Sequence, residues 1–201
     1  MNRRTMIGAA ALALLVGAGS WPALAETTRV RGTLQEVDSD KITVARRDGG
    51  VEPIGLKPDT RFLLVTPVGL DEVKPGSYIG VAGMPQPDGT IKALGVMVFP
   101  EQARGTAEGH FPWDLEPEST MTNATVAKVE QQGEGREVQV TYKGESKTID
   151  IVDPGKIASF APADSSVLAK GAHVTVFVDQ GDGLPVARNV LVGKDGFTPP
   201  N

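Results

Sequence analysis

Cysteine is missing from all 201 residues. Its absence excludes disulfides, a thiolate metal site and a cysteine nucleophile. Histidine is scarce: His110 and His173 are the only two, so few bases exist for nucleophilic catalysis. Ser119, Ser165 and Ser166 lack a G-x-S-x-G frame. No Gly-rich phosphate loop precedes a helix. Aromatic residues make up only 5% of the chain, so an aromatic cluster in a loop calls for an explanation. Positive charge is short as well. A formal net charge of −5 makes nucleic acid and anionic membrane surfaces poor partners, because both need a basic footprint.

Long apolar runs are confined to the start. Arg3 and Arg4 precede an apolar run over 6–19, and Ala23-Leu24-Ala25 has the small-x-small pattern of a cleavage site. The run is too short for a comfortable membrane span. Residues 1–25 therefore read as an export signal, with the mature chain starting at Glu26 and no membrane span left after its removal. Asn2-Arg3-Arg4-Thr5 resembles a twin-arginine signal, and an ordinary secretory start fits equally. The expected location is periplasmic or secreted. Losing the two arginines takes the formal charge from −5 to −7.

From Thr28 the pattern has period two. Short alternating segments at 30–37, 42–44, 51–56, 61–65, 77–83 and 90–99 are separated by turns rich in Asp, Gly and Pro. Leu70 and Val73 allow one helical turn before the fifth segment. The second half repeats this order. Residues 124–129 match 32–37 at an offset of 92, and Val138 and Val140 match Ile42 and Val44. Pro162, Leu168, Gly171, Val174 and Val176 match Pro67, Val73, Gly76, Ile79 and Val81 at an offset of 95. Asp182-Gly183, Ala187, Val190 and Val192 match Asp88-Gly89, Ala93, Val96 and Val98 at an offset of 94. Offsets that drift only at turns indicate a duplication. Gly76 and Gly171, each closing a lysine-bearing turn, are expected at positive φ.

The expectation is an all-β protein of two tandem small OB-like β-barrel repeats. Short strands in a small unit avoid open edges by closing. The first repeat spans 26–99, an ordered connecting loop 100–123, the second repeat 124–193 and a flexible tail 194–201. The repeated unit, Gly-Thr-x-x-x-Val, then Lys-Pro-Gly-x-x-Ile-x-Val, then Asp-Gly-x-x-x-Ala, resembles a bacterial family of exported β-barrel repeat domains of unknown function. The blocks at 104–114 and 119–125 resemble a subgroup whose members are sometimes labelled metal-transporter permeases. The lack of a span beyond the signal contradicts that label here. The resemblance implies a fold and a compartment, and no catalytic residues.

The stretch 99–124 carries His110, the only Trp outside the signal, three prolines and five carboxylates, with no hydrophobic period. Two readings stand for each candidate in it. Glu108, His110 and Asp114, with Glu101 as an addition, are a possible ligand set for a divalent metal; otherwise no cofactor is expected. The alternative is a solvated or backbone-bonded histidine, since no HxH or HExxH spacing supports a metal. Phe111-Pro112-Trp113 is either a stacking platform or a plug across the seam between barrels, with the Trp N–H bonded to backbone. His173 is expected on an outer strand face. Asp71-Glu72 and Glu116-Glu118 read as solvated carboxylates rather than a glycosidase dyad. Met84, Met97 and Met121 read as core filling.

These features suggest a non-enzymatic binding or structural module in the cell envelope. It would contact a protein partner or small ligand through Arg104, His110, Phe111, Trp113 and Asp114. A metal-binding accessory protein is the alternative, and a hydrolase of envelope polymers is the third.

Overall fold

A computed structural model describes residues 27–180 and 183–200. The expected signal over 1–25 and Asp182 of the second hairpin lie outside them. The described chain is all-β, with isolated 3-10 turns as its only helical elements.

The first half forms β1 (Thr27–Val37), β2 (Lys41–Arg46), β3 (Val51–Gly55), β4 (Arg61–Pro67), β5 (Tyr78–Pro85) and β6 (Ile91–Val98). The second half forms β8 (Thr120–Gln132), β9 (Gly135–Tyr142), β10 (Glu145–Ile151), β11 (Ile157–Ala163), β12 (His173–Asp179) and β13 (Val186–Gly193). Between them lies the short β7 (Gly109–Pro112). A 3-10 turn precedes the fifth strand of each half, at Leu70–Glu72 and Ser165–Val167.

The pairing differs from one barrel per half. β1, β2 and β3 pair in order, β1 also pairs with β12, β12 with β13, and a single bridge from Val186 to Gly55 joins β13 to β3. This closes a five-stranded ring. The second ring comprises β8, β9, β10, β6 and β5, joined at Ile149 to Ile91. Each ring thus takes three strands from one half and two from the other. The remaining strands, β4 and β11, pair antiparallel through Val65 and Phe160 and link the rings. Strands from 26–99 and from 124–193 therefore share both rings.

The exchange is reciprocal in detail. The Gly76 N–H donates to Val126 C=O at 2.8 Å, and the Gly171 N–H to Leu34 C=O at 2.8 Å. Gly76 has φ 88° and Gly171 φ 89°, the left-handed conformation expected of both. β-Bulges fall between Leu34 and Glu36 and between Val126 and Lys128, and again at Ala82/Gly83 and Phe177/Val178. The members of each pair lie 92 and 95 residues apart, the offsets at which the two halves match in sequence. A bulge bends a strand, and here it lets one long strand curl round a small ring.

Alternation places the core. Leu34, Ile42, Val44, Ile54, Val174 and Val176 fill the first ring; Ile79, Val81, Val138, Val140, Ile149 and Ile157 fill the second. Each buried Val or Ile contributes roughly 1.5–3 kcal/mol. A third cluster lies outside both rings, where β4, β6, β11 and β13 meet. Val65, Met97, Ala158 and Leu191 are buried there beneath Phe99, Phe160, Phe177 and Phe197. The tail expected to be flexible joins this cluster: Pro199 is buried, and Phe197 is half-buried against it.

Candidate functional site

Phe99, Phe160 and Phe177 of the third cluster face an open groove of about 940 Å³. A cavity of this size lies within the range of small-ligand sites. Strand alternation explains its lining. Phe177 lies between Val176 and Val178, which point into the first ring, so Phe177 points out. Leu63 of β4, Leu191 of β13 and Phe160 of β11 join it, and the stretch 99–113 contributes Phe99, Phe111 and Trp113.

That stretch is held at several points. It contains a 3-10 turn, Glu101–Ala103, and β7, which pairs with the start of β8 through His110–Thr122 and Phe111–Met121. The connector was expected to be a loop through 123, but β8 begins at Thr120. Met121 and Met97 are buried, as expected of core filling. The amide of Asn123 donates to Thr106 C=O at 3.3 Å and Ala107 C=O at 3.2 Å. These bonds fix Ala107 at φ 48°, a conformation costing about 1 kcal/mol or more outside glycine. They also fix the amide's orientation, leaving Asn123 Oδ1 buried without a partner. A Cβ on Gly80 would lie 2.6 Å from that oxygen and 2.8 Å from Phe99 Cε2, so β5 needs glycine at the point where both pack.

Trp113 crosses from β7 to the other ring. The Arg29 guanidinium lies 3.6 Å from its ring centroid, and the Phe177 and Phe111 rings lie 6.5 and 6.0 Å away. This is the seam-crossing contact of the plug reading, and it also lines the groove. The expected backbone bond to the indole is absent: Trp113 Nε1 is buried with no hydrogen-bond partner. Asp114 pairs with Arg31 at 2.8 Å and Arg29 at 3.3 Å on β1. Burial lowers the pKa of Arg29, an effect opposed by Asp114 and reinforced by Arg31. Burial works to raise the pKa of Asp114, but the hydrogen bond and charge of Arg31, with the charge of Arg29, hold it below the usual carboxylate range.

The metal trio does not assemble. Glu108 Oε1 accepts from the Lys143 backbone N–H at 3.0 Å, His110 Nδ1 meets Thr122 Oγ1 at 2.9 Å, and Asp114 binds arginine. Glu101 is paired with Arg104, which also donates to Gly76 C=O. Among the described residues no three His, Asp or Glu side chains lie close enough to share a metal. Alternation and short-range bonding separate them: β7 turns His110 towards Tyr142 and Asp114 towards β1. Burial, with Lys147 adding to it and Glu145 opposing, lowers the pKa of His110. Burial and Glu108 push Tyr78 up to about 12 against the pull of Arg104, and its hydroxyl donates to Thr106 C=O. His173 lies on the outer face as expected, with Nδ1 3.1 Å from Thr33 Oγ1.

Of the five expected contact residues, Phe111 and Trp113 line the groove; Asp114 braces Trp113 from behind, and Arg104 and His110 face elsewhere. Sequence reasoning missed Phe160, Phe177, Leu191, Asn123 and Arg29. An outward phenylalanine in a valine-alternating strand was the available signal for Phe177. Comparison with known families, curated proteins and solved structures finds no match to this chain.

Proposed function

We propose that the protein is an exported, non-enzymatic binding module of the cell envelope, and that its contact surface is the aromatic groove beside the connector. The two closed rings are read as OB-like barrels that have exchanged strands, consistent with the resemblance noted above. One observation carries the functional reading. The groove is lined by a cluster of aromatic rings, Phe99, Phe111, Trp113, Phe160 and Phe177, gathered from three separate parts of the chain. Aromatic walls of this kind are typical of small-ligand and peptide sites. The groove's lining contains no histidine and one carboxylate, Asp59, so no acid–base pair stands ready for hydrolysis.

The test uses the chain from Glu26, in which Trp113 is the only tryptophan. Titration with 8-anilinonaphthalene-1-sulfonate should give one saturable site per chain, with energy transfer from Trp113. The variant Asn189→Phe, which fills the groove from β13, should lose that site while keeping its melting transition. Binding that is unsaturable, or indifferent to Asn189→Phe, would remove the groove from consideration.

A further inference from the structure

The groove has a counterpart at the matching positions of the other half. Phe177 pairs with Asn189 beside the bulge of β13, as Ala82 pairs with Gly95 beside the bulge of β6. Leu191 pairs with Leu63 on β4, as Met97 pairs with Ala158 on β11. The surface around Asn189 and Leu191 therefore corresponds to that around Gly95 and Met97.

In the counterpart the surface is covered by the chain's own end. Pro200 rests on Gly95 so closely that a Cβ there would lie 2.8 Å from Pro200 Cβ. Pro199 is buried, and Phe197 packs with the third cluster. The covering segment, Phe197-Thr198-Pro199-Pro200, carries no charged side chain. On the groove side Asn189 replaces Gly95 and Phe177 replaces Ala82, and the space is open. The charged side chains lining it are Asp59 and Arg61, of opposite sign, so the groove favours a segment without net charge.

We propose that the groove binds an extended, uncharged, proline-bearing peptide segment of a partner protein. Proline-rich segments are already extended and dock in aromatic-lined grooves at low entropic cost. The rings of Phe111, Phe160, Phe177 and Trp113 supply the flat apolar faces. The counterpart surface at Gly95 already holds such a segment. This inference rests on the groove being the binding surface.

The experiment follows Trp113 emission in the chain from Glu26 while a free peptide of the tail sequence, Gly-Phe-Thr-Pro-Pro-Asn, is added. Peptides with both prolines replaced by alanine, and with Phe-Thr replaced by Glu-Glu, are the comparisons. The expected result is saturable binding with a Kd below about 1 mM, at least tenfold weaker for either altered peptide and for Asn189→Phe. If 8-anilinonaphthalene-1-sulfonate binds the groove and none of the peptides does, the groove stands and the peptide inference is overturned. If neither binds, both fail. Peptide binding that survives Asn189→Phe, or that ignores the prolines, also overturns the inference.

Discussion

On the β6 side of the molecule, Pro200 closes onto Gly95, and the outer face is sealed by the chain itself. On the β13 side, Asn189 occupies the equivalent place, and the face opens into the groove. The backbones beneath are alike: the bulges, the positive-φ glycines and the crossed hydrogen bonds recur at matching positions of the two halves. The two faces have diverged in side chains, and most at the positions that decide whether a further strand of chain fits. A closed ring tolerates this, because its inward residues keep the core while its outward ones change.

The largest test breaks the relation between the halves. Each ring needs strands from both, so neither 26–104 nor 105–201 alone can close one. Each should lack a cooperative melt, losing the roughly 5–15 kcal/mol typical of a folded domain. Mixing the two should restore the transition seen by circular dichroism. A half that melts cooperatively as a monomer would contradict the exchange. Next, Gly95→Ala should force the tail off its face and cost about 1–3 kcal/mol. Asn189→Ala, at the matching position of the other half, should change stability by no more than about 0.5 kcal/mol. Limited proteolysis should release the tail only from Gly95→Ala. Equal effects at the two positions would mean that the faces differ less than their packing indicates.

The strands were legible because period-two alternation and turn residues are local. Gly76 and Gly171 were legible for the same reason: a Lys-Gly turn announces its own backbone. The exchange of strands was not legible. Replacing β5–β6 by β12–β13 in a ring keeps most inward apolar positions, since Val174, Val176, Val190 and Val192 match Ile79, Val81, Val96 and Val98. The pattern therefore fits either arrangement, and the connector decides. The Trp113 plug was half legible. A large aromatic in a linker suggests a seam, but Phe177 and Arg29 are far away in sequence. The docked tail was missed because Phe197 and the prolines have no period, and because Gly95 signals a close approach without naming what approaches.

A smaller effect concerns the brace behind Trp113. Asp114 is held ionised by Arg31 and Arg29, so its folded pKa lies below that of the unfolded chain. Its contribution is present above the ordinary carboxylate pKa of about 4 and is lost as pH falls through the lower folded value. The carboxylate is 44% exposed, so solvent screening limits it to under about 1 kcal/mol. Asp114→Asn should lower stability slightly at neutral pH and flatten the acid side of the stability curve. It should also shift Trp113 emission, since Arg29 would lose one of its constraints. The tail-covered face should be unaffected, with the tail as resistant to protease as before.

The smallest effect separates His110 from any metal role. Burial, with help from Lys147, lowers its folded pKa despite Glu145. The unfolded chain therefore binds a proton at higher pH than the folded one. Stability is full above the ordinary histidine value of about 6.5 and falls as pH drops below it. His110→Gln keeps a hydrogen-bonding side chain opposite Thr122 and removes the proton. It should leave stability at pH 8 within about 0.5 kcal/mol and flatten the decline between pH 7 and 5. Added zinc should change neither curve, because His110 has Thr122 and Tyr142 beside it rather than two further ligands. A zinc-dependent rise in melting temperature that His110→Gln abolishes would restore the metal reading of the connector. It would also give the groove side a second feature without counterpart on the tail-covered face.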